Sequence, residues 1–112
     1  MAEKKVKVTF DPDAGSDWSF KPMQVNMNKK GKIRFVRAAA SGDWTFVSFN
    51  PLPPTWSQSL EQEETELVVT DSLIPPTGTF RYTITVFFEG AYYTSPKKFI
   101  NMDGPPIIMN EV

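Results

Sequence analysis

Apolar and polar residues alternate with a period of two along most of this chain. Val6, Val8 and Phe10 share one face of the first run, and residues 80–88 form the longest such run. No window of helical length keeps an apolar stripe at three- and four-residue spacing. Period-two alternation places successive side chains on opposite faces of a strand, so the sequence predicts an all-β protein.

Ten prolines and six glycines divide the alternating runs into short pieces. The pattern predicts seven to nine short strands in an antiparallel Greek-key β-sandwich, a class that includes the immunoglobulin-like domains. A chain of 112 residues has the size of one domain with one core, so residues 1–112 are expected to fold as a unit. Residues 103–112 are predicted to add an extra edge strand or to form an interaction arm.

Four local predictions follow from the alternation, the charges and the turn signals. Residues 23–27 and 31–35, joined through Lys29-Lys30-Gly31, are expected to form a hairpin. The acidic stretch Ser57–Glu66 favours a solvated loop or edge strand, with a short helical turn as the alternative. Residues 80–88 are expected to be a central strand, and Glu89-Gly90 to be a tight turn after it.

Charge and hydropathy exclude several classes of partner. The formal net charge is -1, which provides no general attraction to phosphate backbones or anionic membranes, so neither nucleic acid nor membrane partners are expected. The first ten residues carry three lysines without an apolar run behind them, unlike a signal peptide or a membrane anchor. A cytoplasmic location is therefore expected, with export left open if a signal precedes this sequence.

The chain contains no cysteine and no histidine, which removes the commonest catalytic groups. It also lacks a nucleophile elbow, a glycine-rich phosphate loop and a Ser-x-x-Lys sequence in a helical setting. Serine, threonine, lysine or a carboxylate would need activation by burial or by a neighbouring base. We therefore expect a protein that is not an enzyme and that uses no cofactor.

Three segments carry a resemblance to a known family. They are Phe20-Lys21-Pro22 with Val25, Met27 and residues 31–35; Gly78-Thr79-Phe80-Arg81-Tyr82; and Lys97-Lys98-Phe99-Ile100-Asn101. Together they are similar to the strand pattern of the cupredoxins, the plastocyanin-like domains in particular. The resemblance implies a cupredoxin-like Greek-key sandwich.

Cupredoxins hold copper with two histidines, a cysteine and a weak axial methionine. Spacing from the matching segments places four other residues at those positions: Asp43, Ile84, Phe87 and Tyr92. None of these side chains could rebuild the copper site. The resemblance therefore implies a metal-free domain whose former metal end is plugged by apolar side chains.

Oxygen ligands with metal-like spacing occur in a loop after the first strand. Asp11, Asp13 and Asp17 lie in the sequence Asp-x-Asp-x-Gly-x-Asp, and hard oxygen donors are what calcium prefers. The loop lacks the glycine at its sixth position and the glutamate at its twelfth. It is a weak calcium candidate, and an ordinary aspartate-rich loop is the favoured interpretation.

Aromatic residues are the other candidate binding groups. Trp18, Trp56, Tyr92 and Tyr93 include adjacent residues and residues that flank loops, and strand alternation does not place all of them inside. Trp56 follows a proline-rich connection, so it is expected to be exposed on a loop. Exposed aromatic rings stack on sugar rings, peptides or bases.

These observations favour a small non-catalytic binding or protein-interaction module that contains no metal. Its partner is expected to be a protein or a carbohydrate. One alternative is a structural protein that forms a homo-oligomer through sheet edges and the C-terminal arm. A carbohydrate-binding module that uses its exposed aromatic residues is the second alternative.

Overall fold

The computed structural model describes residues 2–11, 17–22, 24–27, 30–38, 43–72, 78–95 and 107–110. These residues form eleven strands: β1 (Ala2–Asp11), β2 (Asp17–Lys21), β3 (Gln24–Met27), β4 (Gly31–Arg37), β5 (Thr45–Asn50), β6 (Ser57–Glu61), β7 (Glu66–Asp71), β8 (Gly78–Arg81), β9 (Thr83–Phe88), β10 (Ala91–Thr94) and β11 (Ile107–Asn110). The described segments contain no helix long and apolar enough to cross a membrane.

One layer of the protein is a five-stranded sheet with the order β2-β1-β4-β7-β6. Strands β1 and β4 are parallel, and the other neighbours in this sheet are antiparallel. Val6, Val8 and Phe10 are fully buried on the inner face, as the alternation predicts. The lysines that alternate with them, Lys5 and Lys7, are exposed on the outer face.

Two three-stranded ladders, β10-β9-β5 and β3-β11-β8, make up the opposite layer. They are continuous because β8 and β9 are separated by Tyr82 alone. Buried residues of both layers meet in one core that is rich in aromatic rings. The prediction of an all-β sandwich is therefore confirmed. The described residues form eleven strands where seven to nine were expected, and the pairs β1–β4 and β3–β11 are parallel and not antiparallel. The run 80–88, expected to be one central strand, is divided at Tyr82: β9 is the middle strand of its ladder, whereas β8 lies at the end of its own.

The hairpin expected between residues 23–27 and 31–35 is not formed. Strand β3 pairs with β11 in one layer, whereas β4 pairs with β1 and β7 in the other. Val25 and Ile33 are both buried, so alternation places their side chains correctly although the strands belong to different sheets. The prediction was wrong because a period of two identifies the buried face of a strand but not its partner.

The C-terminal strand occupies a different place from the one predicted. Strand β11 lies between β3 and β8, parallel to the first and antiparallel to the second. Ile108 is fully buried in the core. Residues 107–110 are therefore the middle strand of their ladder and not an extra edge or a free arm, and removing them would disrupt the sandwich itself. Residues 97–101, one of the segments that carry the resemblance to the cupredoxins, lie outside the described residues.

The acidic stretch from Ser57 to Glu66 forms the edge strand β6, a turn and the start of β7. The edge-strand interpretation is confirmed, and the helical turn is wrong. The other turn, Glu89-Gly90, connects β9 to β10 as expected, with φ angles of 47° and 81°. Positive φ at both central residues is typical of the hairpin turn whose twist matches its strands.

The two layers are tied together along the edges of β5 and β6. The Phe49 amide donates to Gln58 Oε1 at 2.9 Å, and Gln58 Nε2 donates to the Phe49 carbonyl at 3.3 Å. Nearby, the Phe46 amide donates to the Glu64 carbonyl at 2.9 Å. These bonds satisfy backbone groups on the side of β5 that faces away from β9, so this edge of the sheet is covered.

Candidate functional site

Large hydrophobic side chains are exposed at one place on the described surface. Among the described residues these are Leu60, Phe87 and Tyr92, which are 40%, 37% and 69% exposed. Phe87 and Tyr92 face each other across the β9–β10 pair, with ring centroids 5.1 Å apart. Two aromatic rings in contact at the surface form an apolar patch that water solvates poorly.

A surface groove of about 280 Å³ lies beside these rings. Here it is called the Phe87–Tyr92 groove, and its lining residues are Thr45, Phe46, Val47, Leu60, Glu64, Phe87 and Tyr92. These residues come from β5, β9 and β10 of one layer and from β6 and the β6–β7 turn of the other. The groove therefore lies where the two layers of the sandwich meet.

The local sequence explains why the two rings lie on the outside. Ile84 and Val86 are buried in the core, so the alternation of β9 turns Phe87 outward. The two-residue turn at Glu89-Gly90 then fixes the register in which Tyr92 pairs with Phe87. Tyr93, the next residue, points inward and packs against the core.

The turn between β6 and β7 forms the rim of the groove and has an unusual backbone. Gln62, Glu63 and Glu64 have φ angles of 52°, 53° and 67°, which place three successive non-glycine residues in the left-handed region. Each such residue costs about 1 kcal/mol or more relative to the right-handed region. The bond from Phe46 to the Glu64 carbonyl and the bond from the Thr65 amide to the Gln62 carbonyl hold the turn in place.

Below the groove, the outer face of the β10-β9-β5 ladder carries hydroxyl and amide groups. This hydroxyl strip consists of Thr94, Thr85 and Ser48 in one register row, and of Thr83 and Asn50 in the next. The hydroxyls of Thr85 and Thr94 are 2.9 Å apart, and Asn50 Nδ2 donates to Ser48 Oγ at 2.9 Å. The strip contains no charged side chain.

The residues at the copper-ligand positions are not gathered into one apolar plug. Ile84 is fully buried in the core, whereas Phe87 lies on the opposite, outer face of the same strand. Asp43 is exposed and lies two residues before the first residue of β5. Of these four residues, the structure brings together only Phe87 and Tyr92, and their rings lie on the surface. The expected plug is therefore wrong. Phe87 is three residues after Ile84, and an odd number of residues along a strand places two side chains on opposite faces of the sheet.

The four aromatic residues singled out from the sequence have different environments. Trp56 is only 5% exposed and packs on Phe49 and Phe80, with ring centroids 6.3 and 5.0 Å away. The expectation that Trp56 is exposed is therefore wrong. A turn explains its burial, since the Trp56 amide donates to the Pro53 carbonyl at 3.0 Å and the chain folds back toward the core.

Trp18 and Tyr93 are half-buried, and both contact the same core ring. Their ring centroids lie 4.5 and 5.1 Å from that of Phe10. Tyr92 is the one of the four that presents most of its ring to solvent, so it is the sequence-predicted aromatic that the structure leaves available.

The calcium candidate falls largely outside the described residues. Asp11 is exposed at the end of β1 and lies opposite Asp17 in the β1–β2 register. Asp13 is not among the described residues, nor is the Asp17 side chain. Calcium binding therefore stays a prediction of the sequence.

A cluster of charges on the five-stranded sheet was not predicted. Arg34 on β4 hydrogen-bonds to Glu66, Glu3 and Glu61 at 2.6, 3.0 and 3.1 Å. The bond to Glu66, followed by those to Glu61 and Glu3, raises the pKa of the Arg34 guanidinium. These four residues lie on four different strands. Alternation along a strand predicts which face a side chain occupies but not which residues of other strands lie beside it.

Among the described aromatic side chains of the core, two polar atoms have no hydrogen-bond partner: Tyr82 Oη and Trp56 Nε1. Tyr82 is 1% exposed and packs among Phe20, Phe35 and Phe49. Burial raises the pKa of the Tyr82 hydroxyl, because the apolar surroundings disfavour the phenolate. Both atoms lie in the core and are not part of the surface groove.

No protein-family model matches this sequence, and no curated protein sequence is significantly similar to it. The geometry of the described residues is therefore the basis for assigning a function.

Proposed function

We propose that this protein is a small non-catalytic binding module whose ligand docks in the Phe87–Tyr92 groove. Exposed aromatic and aliphatic side chains supply contact area there, and Thr45 and Glu64 supply polar groups at the edges. A concave, mainly apolar surface with a few polar groups is the usual form of a binding site. No catalytic role is assigned to any residue.

The contact between Phe87 and Tyr92 is the observation that carries this proposal. Tyr92 is 69% exposed although its neighbour Tyr93 packs into the domain. Leaving the surfaces of two aromatic rings exposed to water has a free-energy cost, which a ligand that covers them would remove. The strained turn at Glu63 and Glu64 beside them agrees with this, since strained backbone clusters at binding sites.

We also propose that the sandwich is a metal-free relative of the cupredoxins. Two features support this: the parallel pairs β1–β4 and β3–β11 among otherwise antiparallel neighbours, and the change of layer between β2 and β3 at Pro22. The sequence supplies neither the cysteine nor the histidines of a copper site. Binding would therefore depend on the surface of the fold and not on a metal.

Chemical-shift mapping tests the binding proposal across several classes of ligand at once. The ¹⁵N-labelled protein is titrated with a displayed-peptide library pool, neutral polysaccharides and anionic polysaccharides. We expect at least one class to shift amides of residues 45–47, 60–64 and 86–93, and Tyr92→Ala to remove those shifts. Ligands that shift amides elsewhere, or shifts that survive in Tyr92→Ala, would overturn the proposal, as would no response to any of the three classes.

A further inference from the structure

We infer that the ligand of the Phe87–Tyr92 groove is a neutral polysaccharide chain that continues from the groove along the hydroxyl strip. This inference rests on the proposed binding function and specifies the chemical class of its ligand. The groove and the strip are adjacent because Phe87 and Thr85 are successive outward-facing residues of β9.

The aromatic rings provide the first contact. Sugar rings have apolar faces formed by their C–H groups, and these faces pack on aromatic rings. Tyr92 offers most of its ring to solvent, and Phe87 supports it at an interplanar angle of 59°. Together the two rings form a platform at one end of the outer face.

The hydroxyl strip provides the hydrogen bonds. Its two rows follow the platform at intervals of roughly 7 Å, the distance between alternate residues of a strand. Thr85 and Thr94 hold each other at 2.9 Å, as do Ser48 and Asn50, so these side chains are ordered before a ligand arrives. Preorganised groups lose less conformational entropy on binding.

Charge complementarity selects a neutral ligand. No residue of the strip is charged, whereas the outer face of the opposite sheet carries Lys5, Lys7 and Arg34. An anionic or cationic partner would have to desolvate its charge on the strip without a counter-charge. A polyhydroxylated, uncharged chain matches the hydroxyl groups and the absence of charge along the strip, and Glu64, the charged residue among those that line the groove, can accept a hydrogen bond from a sugar hydroxyl.

Affinity electrophoresis tests this inference with the whole 112-residue chain in gels that contain hydroxyethylcellulose, galactomannan or xylan. We expect retardation by at least one of these neutral polysaccharides, and a loss of affinity of about tenfold in Tyr92→Ala, which removes the stacking surface. Thr85→Val removes one hydroxyl but keeps the shape of the side chain, and we expect it to weaken binding severalfold. Thr70→Val makes the same change on the opposite sheet and should bind like the wild type.

Two further measurements keep the test decisive. Each variant is checked by thermal unfolding, and Tyr92→Phe, which keeps the ring, should retain affinity. Carboxymethylcellulose, an anionic derivative of the same glucan backbone as hydroxyethylcellulose, should retard the protein less than its neutral counterpart. Binding to the neutral chain should also change little between low and high salt, since few charges are involved.

Several outcomes would overturn the inference. Absence of retardation by every neutral polysaccharide, or equal losses in Thr85→Val and Thr70→Val, would exclude the strip as a sugar site. If shift mapping places a peptide in the groove, or light scattering shows that a second copy of the chain covers it, the carbohydrate class fails while the binding function stands. Retardation that survives in Tyr92→Ala contradicts both proposals.

Discussion

The two sheets of this protein present very different outer faces to solvent. On the five-stranded sheet the outward positions are largely charged, and Arg34 joins Glu3, Glu61 and Glu66 in a network. On the β10-β9-β5 ladder the outward positions are aromatic rings and uncharged hydrogen-bonding groups. Both faces belong to the same sandwich, so packing against the core does not account for the difference.

The two outer faces differ in how far their polar side chains are engaged with one another. On the charged face, Arg34 of β4 reaches Glu61 of β6 and therefore crosses β7, where Val68 is only 2% exposed. Side chains of this face thus cover one another. On the other face the hydroxyl pairs keep hydrogen-bonding capacity, and Tyr92 stays open to solvent. A surface that leaves such groups available is suited to binding a ligand.

The largest expected effect concerns the bonds that join the two sheets. Gln58→Met should lower the free energy of unfolding by about 2 kcal/mol, because the Phe49 amide and carbonyl lose their partners. Gln24→Met, a matched change at an exposed glutamine on β3, should have little effect. Urea denaturation of both variants measures the difference. Equal free energies of unfolding would show that the hydrogen bonds between Gln58 and Phe49 do not stabilise the fold.

The same truncation on the two outer faces should have unequal effects. Val68→Ala is expected to cost about 2 kcal/mol, because Val68 is covered although it faces outward. Thr85→Ala on the hydroxyl strip should cost less than about 1 kcal/mol. Thermal unfolding compares the two variants. A larger loss of stability in Thr85→Ala than in Val68→Ala would contradict the conclusion that the charged face is the more covered of the two.

The charge network should depend on salt. Arg34→Met keeps the apolar stem of the side chain and should destabilise the fold by about 1 kcal/mol at low salt, because three carboxylates lose their common partner. This loss should shrink in about 1 M salt, where screening is strong. Tyr92→Ala should show no comparable salt dependence. A loss for Arg34→Met that does not change with salt would contradict an electrostatic role.

Between the two sheets, Tyr82 should make stability depend on alkaline pH. Its folded-state pKa is raised, so above its ordinary value of about 10 the unfolded chain loses the phenolic proton first and unfolding is favoured. Tyr82→Phe should remove this part of the alkaline destabilisation. At neutral pH it should stabilise by about 1 kcal/mol, because a buried hydroxyl without a partner is lost. Identical pH profiles for the two proteins would contradict this account.

The smallest effect is expected at the rim of the groove. Glu63→Gly should stabilise the fold by about 0.5–1 kcal/mol, since glycine accepts a positive φ without steric cost. Glu63→Ala removes the same charge but keeps the strain, so it is the control. Denaturant midpoints that rise equally in both variants would assign the effect to charge and not to backbone conformation.

Local features of the fold were predictable from the sequence, whereas the pairing of strands was not. The buried face of β1, the central position of β9 and the turn at Glu89-Gly90 follow from alternation and turn chemistry. The partners of β3 and the central position of β11 do not, because a strand buries the same face in whichever sheet it joins. For the same reason the sequence identifies Tyr92 as a candidate binding residue but does not predict the groove beside it, whose lining residues come from separate strands.

The sequence by itself determined that this chain is a sandwich of short strands without cysteine or histidine, because alternation, proline and glycine act over a few residues. Only the tertiary structure decided that Trp56 is buried, that Arg34 meets three glutamates, and that Phe87 and Tyr92 share a groove with the distant Leu60. These juxtapositions depend on which strands become neighbours. Strand order is set by the packing of the whole core, which no local pattern encodes.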